Sequence, residues 1–104
     1  METNDTCKIL LDKGLTQKVK CYKFYQKDFD RELAVHEHSD YKTLSSITDV
    51  KTGMKLCTVD KEIKKVTPAD IDEAMSTFTK HFTLEGILQR FKEMDDNLVQ
   101  SAKK

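Results

Sequence analysis

KTLSSITDVKTGMKLCTV, residues 42–59, is the stretch whose reading decides the fold. Two runs rich in β-type residues flank Val50-Lys51-Thr52-Gly53, and neither contains proline. Lys51 and Thr52 suit the central positions of a type I turn, and Gly53 supplies the positive φ of a closing bulge. The stretch therefore predicts an antiparallel β-hairpin over 44–59, around which a sheet is built.

Upstream, KVKCYKFYQK (18–27) alternates Val19, Cys21 and Tyr25 against Tyr22 and Phe24, and RELAVHEH (31–38) alternates Leu33 and Val35 against Ala34 and His36. Both read as strands. At the N-terminus Asp5 suits the cap of a short helix through CKILLDK, with Gly14 as its left-handed end. The consecutive Ile9, Leu10 and Leu11 also admit a buried strand.

Downstream the period changes. Thr67-Pro68-Ala69-Asp70 combines an N-cap threonine, proline at the first helical position and an early acid, and Ile71, Ala74, Met75 and Phe78 mark one face. Thr83 caps a second helix whose apolar positions are Leu84, Ile87, Leu88, Phe91, Met94 and Leu98. The expected architecture is α+β, a single domain over 1–104. An antiparallel sheet of three to four strands precedes two C-terminal helices packed on it, with a short N-terminal helix as one reading of the first segment.

The 104 residues carry 18 basic and 18 acidic side chains. Each half is balanced as well, which argues against a dedicated nucleic-acid binder. Cys7, Cys21 and Cys57 are odd in number and widely spaced, so reduced thiols in the cytoplasm are expected. METNDTCK has no apolar signal region, and no run approaches the roughly 18 apolar residues of a membrane span.

Chemistry is sparse. His36 and His38 share a strand face, and zinc would need further ligands from Asp40, Cys57 or His81. The expectation is a strand whose solvent face carries two imidazoles, with no metal or cofactor. No catalytic cysteine signature, glycine-rich phosphate loop or paired-carboxylate motif is present, so no enzyme is expected.

Two charged segments remain. Residues 13–27 hold five lysines and no acid, and Lys18, Lys20, Tyr22, Lys23 and Phe24 form the interleaved basic and aromatic pattern of a single-strand binder. Asp28, Asp30, Glu32, Glu37 and Asp40 follow, an acidic stretch suited to a basic protein partner. In the second helix Phe91, Met94, Leu98 and Val99 are expected to overhang the sheet and to be covered by another protein or a second copy, giving a homodimer.

LAVHEHSDYKTLSSITDVKTGMKL (33–56) resembles strand–hairpin segments of small bacteriophage and mobile-element proteins, which carry a VTHxxTG-like turn; Asp49 stands where those segments have histidine. The resemblance covers about a quarter of the chain and implies a small accessory or inhibitory protein acting on a host enzyme. The functional expectation is a non-enzymatic cytosolic inhibitor or regulatory subunit working by protein–protein contact. The alternative is a nucleic-acid-binding accessory protein using strand 18–27.

Overall fold

The computed structural model describes residues 1–11 and 14–102, with side chains to Asp96. Five strands form one antiparallel meander in chain order: β1 (Asp5–Leu10), β2 (Thr16–Gln26), β3 (Arg31–Glu37), β4 (Ser45–Asp49) and β5 (Lys55–Val59). A single 3-10 turn at Ile63–Lys65 leads into α1 (Pro68–His81) and α2 (Leu84–Ala102). The α+β class and the order of sheet before helices are as expected; the sheet has five strands rather than three or four.

The extra strand is β1, where a short helix was one of the two readings. Its alternation buries Cys7 and Ile9 while Thr6, Lys8 and Leu10 are exposed. That period-two pattern suits pairing with β2, whose register sets Cys7 opposite Val19. Gly14 does have a positive φ of 76°, but in the β1–β2 connection rather than at a helix end.

β2 serves two neighbours. Thr16–Cys21 pairs with β1, and Tyr22–Gln26 pairs with β3. The β1–β2 ribbon covers the sheet face opposite the helices, where Cys7, Ile9 and Cys21 cluster with Ala34. The amide of Leu10 donates to the carbonyl of Gly53 at 2.8 Å, tying the end of β1 to the β4–β5 loop. Both faces of β3 are therefore buried, and Leu33, Ala34, Val35 and His36 are all inaccessible.

The hairpin is present, with a loop of four residues, Val50–Gly53, one longer than a type I turn with a bulge. The Asp49 amide donates to the Met54 carbonyl, and the Gly53 amide donates to the Asp49 carbonyl. Gly53 has the expected positive φ, 76°.

The helices start where their caps place them. The Thr67 hydroxyl accepts from the Asp70 amide, the Asp70 carboxylate accepts from the Thr67 amide, and Pro68 occupies the first turn. The Thr83 hydroxyl accepts from the Gly86 amide at 3.0 Å. Phe82 is extended between the helices, with φ −134° and ψ 142°, because the backbone leaves the helical region before the next cap. Ile71, Met75 and Phe78 of α1 join Ile87, Phe91 and Met94 of α2 over Leu33, Val35, Ile47 and Val59 of the sheet. Phe29, in the β2–β3 turn, is the wedge between them: its ring lies 6.4 Å from Phe78 and 5.4 Å from Phe91.

Candidate partner-binding groove

A cavity of about 750 Å³ forms an open groove between β5 and α1. Sheet topology creates it. β5 has a strand neighbour only in β4, and α1 packs against β5. Helical spacing then puts Asp70, Glu73, Ala74, Thr77, Phe78 and His81 along one wall. Cys57 and Val59 line the opposite wall on the helix-facing side of the sheet, and Phe82 closes one end.

Beyond Phe82 the α1–α2 junction exposes three large apolar side chains, Phe82 at 45%, Leu84 at 52% and Leu88 at 42%. At 3.6 residues per turn, Leu84 and Leu88 sit roughly 70° round α2 from the buried Ile87, Phe91 and Met94 stripe. They fall outside the arc that the chain's own core covers. The six apolar positions of α2 span about 120°, an ordinary width for a core-facing stripe, so the sequence alone does not set these two apart.

The expected assembly anchors lie elsewhere. Phe91 and Met94 are buried at 4% and 5% within the chain's own core, so they present no surface to a partner. Phe91 lies against Phe29 and under the Arg31 guanidinium, 4.5 Å from its ring centre. The side chains of Leu98 and Val99 lie outside the described residues.

The acidic stretch does not form one surface. Asp28, Asp30 and Glu32 sit at the β2–β3 turn, while Glu37 and Asp40 lie at and beyond the far end of β3. Glu32 and Glu37 are about 17 Å apart at the usual rise of a strand. Asp30 also accepts a hydrogen bond from the Tyr25 hydroxyl.

The basic strand divides too. Phe24 packs against the main core, and Lys23 reaches Asp5 at 3.6 Å. Lys18, Lys20 and Tyr22 are exposed, and the register sets Lys18 directly opposite Lys8. Lys8 enters this patch only through strand pairing.

His36 corrects the expectation for the HEH segment. It is 2% exposed, because the β1–β2 ribbon covers the face that an isolated strand would offer to solvent. Its Nδ1–H donates to the Glu37 carbonyl at 2.8 Å, and its Nε2 accepts from the Thr48 hydroxyl at 2.7 Å. His38 accepts at Nδ1 from the amides of Asp40 and Tyr41, and the Lys55 ammonium lies 3.1 Å from its Nε2. Every nitrogen lone pair that a metal would need is engaged. Cys57 and His81 line the groove on the other sheet face, and no cluster of three metal-ligating side chains exists among the described residues.

Burial, chiefly, pulls the His36 pKa below its ordinary value; His38 and Lys55 add to the effect, and the Glu37 carbonyl opposes it. A lowered histidine pKa stabilises the fold fully above the unfolded value of about 6.5. That contribution is lost as pH falls from there through the folded value. The urea midpoint should therefore drop between pH 7.5 and 5.5, and drop less in His36→Gln. An equal drop in both would remove His36 from the account.

The three thiols are not poised for chemistry. Burial pushes Cys57 up to about 11 and Cys21 up to about 12, and it raises Cys7 as well. A thiol held there is protonated at neutral pH, whereas a nucleophile needs the thiolate.

Among the described residues no helix is long and apolar enough to cross a membrane. No protein-family model matches the chain, and no curated protein or solved structure matches it either.

Proposed function

We propose that this chain is a small, non-enzymatic, cytosolic protein that works by protein–protein contact, as an inhibitor or regulatory subunit. The observation that carries the reading is the exposed Phe82, which lines the β5–α1 groove, followed in the chain by the exposed Leu84 and Leu88. Grouped apolar exposure next to a concave surface is the signature of an interaction site. The protonated thiols and the engaged ring nitrogens of His36 support a role without catalysis. The resemblance of the hairpin to phage and mobile-element proteins agrees with an accessory role on a host protein.

One observation favours a second reading, nucleic-acid binding. The register places Lys8 against Lys18, with Lys20 two residues on and Tyr22 beyond it. Like charges directly opposite on a ladder cost stability, and an anionic ligand offsets that cost. Contact through three lysines would weaken about 20-fold between 50 and 200 mM salt on a single strand.

Affinity capture of the tagged chain with nuclease present, at low and moderate salt, separates the two. Contact through apolar side chains is expected to retain a stoichiometric protein under both conditions. Recovery that disappears with nuclease and salt would overturn it in favour of the lysine ribbon.

A further inference from the structure

Resting on the contact reading, we infer that the free edge of β5 takes an extended, basic segment of a partner as a sixth strand, lying along β5 beside α1. β5 is short, holds no proline, and has Lys55 as its one charged residue. Among the described residues β4 is its one neighbour in the sheet, so its outer backbone groups have no strand partner. The opposite edge differs, since Leu10 of β1 is tied to Gly53 and Lys8 lies on the exposed face. An added strand sits about 4.8 Å beyond its neighbour and takes the unused backbone groups of the edge.

The groove has the space and chemistry for it. Alternate side chains of such a segment reach into the groove, which Ala74, Phe78 and Phe82 line. Charge selects the partner. Asp60, Asp70 and Glu73 line the groove against one lysine, Lys61. Lys61 bonds Asp70 at 3.0 Å, so Asp60 and Glu73 are left without an ion pair among the described residues. A segment alternating apolar and basic residues satisfies both the floor and the rim.

The test uses the isotope-labelled full chain and a blocked ten-residue peptide alternating lysine and valine, with a glutamate–valine peptide as control. Chemical-shift changes and slowed amide exchange are expected at Lys55–Val59 and along α1. The control peptide should bind at least tenfold more weakly, and Glu73→Lys, an exposed change that leaves the core intact, should weaken lysine–valine binding. Absence of binding, equal binding of both peptides, or changes centred on Lys18–Tyr22 would overturn the inference. So would a doubled mass without peptide and protected β5 amides, because a second copy would then hold the edge. A partner that needs Leu84 and Leu88 while β5 amides exchange at the free rate would overturn strand addition and leave the contact reading standing. Failure to retain any protein partner would sink the contact reading itself, whatever the peptides do.

Discussion

Arg31→Met is expected to destabilise the fold by about 3–5 kcal/mol, the cost of removing one partner from a buried ion pair. The guanidinium donates to both oxygens of Asp49, at 2.9 and 2.7 Å, and again to both oxygens of Asp95, at 2.9 Å each. Asp49 is fully buried at 0% exposure. Without Arg31 its carboxylate keeps only the hydroxyl and amide of Thr52, so a charge is stranded in the core. Asp95→Asn should cost far less, up to about 1 kcal/mol, because that carboxylate is partly exposed and its ion pairs are screened. Hydrogen bonds from Arg31, before any other cause, hold the Asp95 carboxyl below the usual range. A lowered carboxylate pKa means that its contribution is present above about pH 4 and is lost as pH falls through the folded value. Urea unfolding of both variants at neutral pH measures the contrast; equal losses would contradict it.

The second large effect is at Gly53. An added Cβ there would stand 3.0 Å from the Lys8 carbonyl oxygen and 3.1 Å from the Leu10 nitrogen, both backbone atoms. Its φ of 76° also costs an alanine about 1–2 kcal/mol. Relieving the clash means moving β1 away and weakening the Leu10 to Gly53 hydrogen bond, a further loss of about 1 kcal/mol. Gly53→Ala is thus expected to lose about 2–3 kcal/mol in total. Gly14 is the control, since it has the same φ with nothing within 4 Å of the added atom. Gly14→Ala should lose only the conformational part, and the difference between the two measures the docking of the ribbon on the hairpin. Equal losses would mean that β1 gains nothing from the loop.

The two glycines also mark what was legible in the sequence. The hairpin, the Thr67 cap with Pro68 and the Thr83 cap were readable because each is set by residues within a few positions. β1 was ambiguous because Asp5 and Ile9-Leu10-Leu11 suit helix or strand locally, and pairing with β2 decides the matter. His36 was placed on the solvent face by the alternation of β3, which reports faces but not what covers them. Phe91 and Met94 are buried while Leu84 and Leu88 are exposed, and a helix wheel could not tell them apart, because it shows an apolar arc without saying where the sheet stops covering it. The Arg31–Asp95 pairing, 64 positions apart, left no local trace. The groove is likewise a product of topology, formed only once β5 is last in the sheet and α1 lies beside it.

The most direct test of the account is a partner capture with three forms of the chain: unmodified, Leu84→Asp/Leu88→Asp, and Lys18→Glu/Lys20→Glu. All four substituted side chains are exposed, so the fold should survive each change. The account expects the leucine variant to lose a protein partner that the lysine variant retains. Retention by the leucine variant and loss by the lysine variant would contradict it and move the function to the β1–β2 ribbon.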